Sequence, residues 1–232
     1  MKAGKKWTAA LPILAGAMWG SAGVFVRKLY AFGMDSYTIL ATKMCVGAVI
    51  LFLILLCWKP KLLRVRWQDL WIFLGSGILG MLGLNYCYNE AIRTVSMSLA
   101  AVLLGLSPIF VMLLSAVLFR EKITARKLGC MALALVGCLL VSGVLEGSGL
   151  QWSWGGIGMG VLSAFFYALY AIFSKTASNR GYDTFTIIFY SILAISLVLL
   201  PLTDWGSFGA FLAEAPVGNT VFTLAHAAFT TI

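Results

Sequence analysis

An all-α polytopic membrane helix bundle, built as inverted five-helix repeats with the second repeat incomplete, is the fold class predicted by three features of the chain. The composition is 61% hydrophobic and only 11% charged over 232 residues, against roughly half apolar and a quarter charged in soluble domains. The apolar residues fall in long continuous runs, and about 20 such residues cross roughly 30 Å of hydrocarbon as a helix. Finally, the pattern restarts after an odd number of runs. Continuity within each run, in place of alternation, favours helices over a barrel.

The first run covers about residues 8–28. Its start, Met1-Lys2-Ala3-Gly4-Lys5-Lys6 followed by an apolar stretch with Ala15-Gly16-Ala17, looks like a signal peptide. The run continues to Val26, longer than a usual signal core, so it is predicted to be the first helix. Runs near 36–58, 70–91, 95–119 and 127–145 complete a unit of five. A Gly/Ser/Trp stretch follows, then runs near 155–175 and 184–203, and an eighth that begins near Val217 and meets the chain end.

Five is odd, so a second copy of the unit must insert upside down. The expected division is 1–148 for the first repeat and 149–232 for a partial second repeat of about three helices. Met18-Trp19-Gly20 through Phe25-Val26-Arg27-Lys28 aligns with Phe165-Phe166-Tyr167 through Ile172-Phe173-Ser174-Lys175. Gly33 then falls on Gly181, and Ser36-Tyr37-Thr38 on Thr184-Phe185-Thr186. The charged helix end, the glycine loop and the hydroxyl-aromatic-hydroxyl restart recur in the same order.

Small residues mark where helices approach. Gly16 and Gly20, and Gly156 and Gly160, are spaced as small-xxx-small faces, while Gly75, Gly77, Gly80 and Gly83 thin the third helix. In lipid, such glycines serve close packing first. Cys45, Cys57, Cys87, Cys130 and Cys138 lie within or at the ends of apolar runs without a Cys-x-x-Cys pair, and are expected to be free thiols that pack as small hydrophobes.

The formal charge of +9 is explained by placement. With the N-terminus in the cytoplasm, that side receives Lys2, Lys5, Lys6, Lys59, Lys61, Arg64, Arg66, Arg120, Lys122, Arg126, Lys127, Lys175 and Arg180, 13 of the 17 basic residues. Arg27, Lys28 and Arg93 fall outside, and Lys43 lies within a run. This bias sets a multi-pass orientation in the cell membrane and contact with anionic lipid in the bilayer. It gives no ground for a nucleic-acid partner, since no soluble basic domain is present.

Ala17-Met18-Trp19-Gly20-Ser21, then Tyr88-Asn89-Glu90-Ala91-Ile92-Arg93-Thr94-Val95-Ser96 leading to Leu106-Ser107-Pro108-Ile109-Phe110, then Arg120-Glu121-Lys122-Ile123-Thr124 with Gly129 and Gly137 behind it, carry a family likeness. In their order and spacing the chain resembles the EamA-type branch of the drug/metabolite transporter superfamily, over essentially its whole length. The resemblance implies ten helices in two inverted repeats, both termini cytoplasmic, moving small metabolites, amino acids or drugs, often outward. Two departures accompany it. The chain lacks counterparts of the helices beginning near Thr94 and Arg126, and Lys43 stands where such proteins frequently carry arginine.

A charge inside a span costs about 2.5–3.5 kcal/mol on insertion scales and so faces protein or water. Lys43 sits seven residues beyond Ser36 and Asn85 six before Ala91, which puts both about 10 Å below the same surface at 1.5 Å per residue. Asn85 and Asn89 are one turn apart with Tyr88 beside them. An ammonium, two amides and a phenol on adjoining helices suit a carboxylate or other polar small-molecule substrate. The alternatives are that Lys43 snorkels outward and the amides merely tie helices together.

Trp19, Tyr167 and Tyr170 fall near mid-membrane by residue count, deeper than the interfacial aromatic belt. Cavity lining and ordinary packing are both open to them, with Trp19 and Tyr167 favoured by their places in the matched segments Met18-Trp19-Gly20 and Phe165-Phe166-Tyr167. Glu90 and Pro108 are the gating or coupling candidates. Glu90 ends the third run beside Arg93 at i+3, where a surface pair also explains it; Pro108 interrupts the fourth helix and frees a carbonyl. Glu121 is expected to close a basic salt-bridge network, and His226 alone assembles no metal site.

The expected activity is transport of small metabolites, amino acids or drugs by alternating access, with efflux its direction and no cofactor. A channel is the alternative, as is a truncated, non-transporting protein that associates with partners. Pairing with a second copy as a homodimer would complete a carrier that stops within its second repeat. An enzyme is not expected: there is no His-Glu-x-x-His, no Gly-x-Ser-x-Gly and no acid deep in any run.

Overall fold

A computed structural model describes residues 14, 16–18, 20–141 and 153–231. The described residues form helices joined by short turns, with no strand among them. They are α1 (Ala22–Ala31), α2 (Ser36–Trp58), α3 (Trp67–Thr94) and α4 (Met97–Phe119), α5 (Ala125–Val141), α6 (Trp154–Asn179) and α7 (Thr184–Leu202), α8 (Trp205–Glu214) and α9 (Pro216–Thr231). Five of these, α2, α3, α4, α6 and α7, are long and apolar enough to cross a membrane. The chain is an all-α polytopic membrane bundle, as its composition predicts. The short helix α8 was not expected from the sequence.

Polar residues at several turns start their helices by satisfying orphan amides, worth about 1 kcal/mol per cap. Asp35 accepts from the amides of Tyr37 and Thr38, both at 3.2 Å. Ser96 caps α4 through Leu99 at 3.2 Å, Ser153 caps α6 through Gly156 at 3.3 Å, and Asp183 caps α7 through Phe185 at 2.9 Å. Asp204 caps α8 through Gly206 at 3.0 Å.

Two of these turns are alike in detail. Gly33 has φ +88° and Gly181 φ +87°, the left-handed conformation that closes a helix with least strain when the residue is glycine. The Gly33 amide donates to the Tyr30 carbonyl and that of Met34 to Leu29; the Gly181 amide donates to Ser178 and that of Tyr182 to Ala177. In both, an aspartate two residues after the glycine caps the next helix.

The core is a set of helix seams. Leu40, Met44, Leu51 and Leu55 of α2 pack on Phe189, Ile192, Ile195 and Leu199 of α7. These helices run antiparallel, for the Thr186 hydroxyl donates to the Leu62 carbonyl at 2.8 Å and the Asp204 amide donates to the Thr38 hydroxyl at 3.0 Å. Helix α3 lies against α6 and α7 through its glycines. A Cβ on Gly80 would come within 2.7 Å of the Tyr170 Cα, and one on Gly83 within 2.7 Å of the Phe166 ring. This stretch, Gly75–Leu82, is wound as a π-helix. On α6, a Cβ at Gly160 would strike Leu103 and one at Gly156 would strike Thr94 and Val95. Gly16 and Gly20 differ: a Cβ on either meets nothing within 4 Å, so the expected close face of the first helix is not seen there.

Salt bridges gather the basic loops at one end of the bundle. Glu121 pairs with Lys127 at 3.5 Å and with Lys175, and Arg180 pairs with Asp69. The Lys175 ammonium hydrogen-bonded to Glu121 holds its carboxyl below the usual range. Burial and the Asp69 carboxylate push the Tyr182 phenol up. Helix α5 turns apolar side chains outward: Leu128, Leu133, Val136 and Leu140 are between 47% and 74% exposed, as a lipid-facing helix requires. Cys45, Cys57, Cys87 and Cys130 are free thiols; the Cys138 side chain lies outside the described residues.

Candidate functional site

Between α1, α2, α3, α4, α6, α7 and α9 lies a cavity of about 330 Å³, at the small end of the roughly 300–1,000 Å³ usual for ligand pockets. Lys43 reaches it from α2. Asn85, Tyr88 and Asn89 come from one face of α3, Tyr167 and Tyr170 from α6. Apolar walls are supplied by Val26, Met81, Leu84, Leu104, Ile188 and Phe229 among others. Trp19 lies outside the described residues.

The helical rise explains the meeting of Lys43 and Asn85, which start from the same end of the bundle and reach the same depth. The Lys43 Nζ donates to Asn85 Oδ1 at 2.7 Å, and Asn85 Nδ2 donates to the Met81 carbonyl at 2.8 Å. The second bond is an i−4 contact within α3, and it holds the amide with its oxygen toward the ammonium. Lys43 is 3% exposed and Asn89 1%. Among the described residues the Asn89 Nδ2 has no hydrogen-bond partner, which is unusual for a buried donor.

An ammonium has three donors and no acceptor, so Lys43 keeps two after bonding Asn85. The described lining contains no aspartate or glutamate. The polar side chains of the cavity therefore offer hydrogen-bonding groups and one positive charge, with no carboxylate among the described lining, set in largely apolar walls. That combination suits a small solute bearing an accepting, negatively charged group on an apolar body.

Glu90 lies beyond the cavity. It keeps the expected contact with Arg93, at 3.3 Å, but the pair is only part of its environment. The Ser36 hydroxyl donates to Glu90 Oε1, Ser36 is hydrogen-bonded to the Tyr30 hydroxyl, and Tyr30 also reaches Glu90 at 3.5 Å. Glu90 thus joins α1, α2 and α3 at the end opposite the basic loops. No sequence signal pointed to Tyr30 or Ser36 as its partners, because they are 60 and 54 residues away.

Pro108 falls in the first turn of the second half of α4, just after a break at Gly105 and Leu106. Having no N–H, it leaves the carbonyl of Leu104, four residues earlier, without its helical donor, and Leu104 lines the cavity. Helix α9 also contributes, through Phe229 and Thr230, while the neighbouring His226 is buried and stacks on Phe25 with centroids 5.2 Å apart. Nothing in the sequence marked α9 as a wall of the site.

A family model described as the EamA-like transporter family matches residues 6–143, more than half of the 232. The chain belongs to the EamA-like transporter family. This EamA-like chain is 26% identical over 197 residues to a protein of Archaeoglobus fulgidus named as an uncharacterized transporter, covering 85% of this chain and 67% of that one. It is 27% identical over 198 residues to the pseudopaline exporter CntI of Pseudomonas aeruginosa, covering 85% and 66%. The match thus spans about two thirds of the length of these curated relatives. A chain known from a crystal structure shares its architecture with a TM-score of 0.60 over 94% of this chain and 77% of the other. At 17% identity that likeness speaks for the fold alone. Membership of the EamA-like family and the apolar spans together identify a multi-pass membrane protein of a transporter family.

Proposed function

We propose that this chain carries small metabolites, amino acids or drugs across the cell membrane by alternating access, outward from the cytoplasm, with Lys43 and Asn85 as the centre of the substrate site. The observation that carries the reading is the buried ammonium of Lys43 held on Asn85 in a largely apolar cavity. Tyr88 and Asn89 complete the polar side of the site, and Tyr167 forms its wall. The solute engages Lys43 and the unpartnered Asn89 amide through a carboxylate or a similar acceptor. Charge-assisted hydrogen bonds of this kind contribute about 1.5–3 kcal/mol each.

Two further observations support the reading. The matched turns at Gly33 and Gly181, with the reciprocal Thr38 and Thr186 contacts across the antiparallel α2 and α7, support two inverted copies divided near residue 149. The exporter name of the Pseudomonas aeruginosa relative supports the outward direction, and the basic end fits a cytoplasmic N-terminus. A gating role for Glu90 and Pro108 is supported by two contacts: Glu90 ties three helices at one end, and Pro108 follows the break in α4 beside the cavity.

Reconstituted liposomes test the proposal. Carboxylate-bearing solutes preloaded inside should drive saturable counterflow of a labelled solute, and Lys43→Met and Asn85→Leu should each reduce it. Conductance without saturation, or counterflow unchanged in both variants, overturns the reading.

A further inference from the structure

A second concavity lies at the basic end, between the α2–α3 connection and the α6–α7 turn, with a volume of about 410 Å³. Its walls include Lys61, Arg64, Arg66, Arg180, Tyr182 and Asp183. Four cations and one carboxylate line it, and the buried Asp69 lies behind the wall against Arg180 and Tyr182, where it also feels the charge of Arg66. The lining carboxylate is occupied, since Asp183 accepts the Phe185 amide at 2.9 Å as the cap of α7. Arg180 is also occupied: it pairs with the buried Asp69 and lies over the Trp71 ring at 5.6 Å. Lys61, Arg64 and Arg66 form no salt bridge among the described residues.

The place is built before any ligand arrives. The Tyr182 hydroxyl donates to Asp69 at 2.5 Å and accepts the Arg66 amide at 3.3 Å. The Leu62 carbonyl takes the Thr186 hydroxyl at 2.8 Å and that of Leu63 takes the Tyr190 hydroxyl at 2.7 Å. These bonds fix the backbone of the basic connection against the second half of the chain. On either side of it, Trp58 is 83% exposed and Trp67 87%, the residue type that settles at the headgroup level of a bilayer.

We propose that this pocket binds a phosphate group, supplied by the headgroup of an anionic phospholipid, with Lys61, Arg64 and Arg66 as its ligands. Arginine's fixed fork of donors matches phosphate oxygens. Basic pockets between helices near the membrane surface bind such headgroups, and here the flanking tryptophans set the pocket at the right height. The other basic cluster at this end is different in kind: Glu121 already takes both Lys127 and Lys175. Because the pocket joins the α2–α3 connection to the α6–α7 turn, an occupied headgroup would hold the two halves of the bundle together.

The test uses the full chain purified in neutral detergent, with thermal unfolding read in the presence of phosphatidylglycerol, phosphatidylcholine or inorganic phosphate. Phosphatidylglycerol is expected to raise the midpoint and phosphatidylcholine to leave it unchanged. The triple variant Lys61→Gln, Arg64→Gln, Arg66→Gln should weaken phosphatidylglycerol binding by about a hundredfold, from roughly fivefold per basic residue. The control triple Lys122→Gln, Arg126→Gln, Lys127→Gln should keep it. Equal losses in both triples, or no shift with phosphatidylglycerol, overturn the site in favour of diffuse attraction. An equal shift with the same concentration of inorganic phosphate overturns the lipid as the source. If the triple variant folds poorly, Arg64→Gln alone is read by the phosphatidylglycerol retained in native mass spectrometry, and wild-type retention then overturns the proposal.

Discussion

Replacing Lys43 by Met separates its two roles, because they pull stability and transport in opposite directions. The side chain is 3% exposed, so losing the ammonium relieves a cost of about 2.5–3.5 kcal/mol on insertion scales. Against this stands the hydrogen bond to Asn85 at 2.7 Å, whose loss leaves an acceptor unsatisfied for about 1–3 kcal/mol. Asn85 lines the cavity and is only half-buried, so water can take up that oxygen and the penalty falls toward the low end. The balance is a variant more stable than the parent, by about 0.5–2.5 kcal/mol. Methionine is unbranched and adapts to the vacated volume. Substrate binding instead loses one charge-assisted contact, about 1.5–3 kcal/mol, or roughly ten- to hundredfold in affinity. Thermal unfolding in detergent and the concentration dependence of counterflow measure the two separately. A variant destabilised by more than about 2 kcal/mol with transport affinity intact would refute the reasoning and make Lys43 a helix tie.

Three further outcomes follow from the geometry. Gly80→Ala puts a methyl within 2.7 Å of the Tyr170 backbone and should cost about 1–3 kcal/mol, whereas Gly129→Ala, with nothing within 4 Å, should stay within about 0.5 kcal/mol of the parent in the same unfolding assay. Glu121, whose carboxyl is held below its ordinary value of 4.5 chiefly by Lys175, contributes stability that is complete above that value and is lost as pH falls through its lowered pKa. The midpoint difference between wild type and Glu121→Gln should accordingly shrink to nothing on acidification, and a difference that persists there counts against the ion pair. Glu90→Gln keeps an acceptor for the Ser36 and Tyr30 hydroxyls but removes the charge paired with Arg93, so counterflow should slow while the unfolding midpoint changes little; unchanged counterflow would leave Glu90 as a structural tie.

The approach of Lys43 to Asn85 was legible because a charge within an apolar run must find protein or water, and counting residues along two helices fixes depth. The shared face of Asn85, Tyr88 and Asn89 was legible from helical spacing alone. Likewise Gly33 and Gly181 announced matched turns, for each glycine is followed by the same hydroxyl-aromatic-hydroxyl restart of an apolar run, although the capping aspartates between them formed no part of that signal. The partners of Glu90 were not legible, since serine and tyrosine at a helix end carry no mark of what they will meet across the bundle. The helix over Trp205–Glu214 escaped notice for another reason: it is too short to span, and only its cap Asp204 announces it. The close approach of α3 to α6 could be inferred from its glycines, but not that this stretch is wound as a π-helix, since hydrophobic spacing does not distinguish the two windings over eight residues.

On the proposed function, the Lys43 ammonium, the one charged side chain of the described cavity lining, would make transport sensitive to voltage. Loaded with a monoanion, the Lys43 centre would be electrically silent, and its exposure to either compartment would feel little of the transmembrane field. Emptied, it would return bearing one positive charge, and a full crossing of that charge is worth about 2.3 kcal/mol per 100 mV. The resting potential would then act on the return half of the cycle, by the fraction of the field that the empty site traverses.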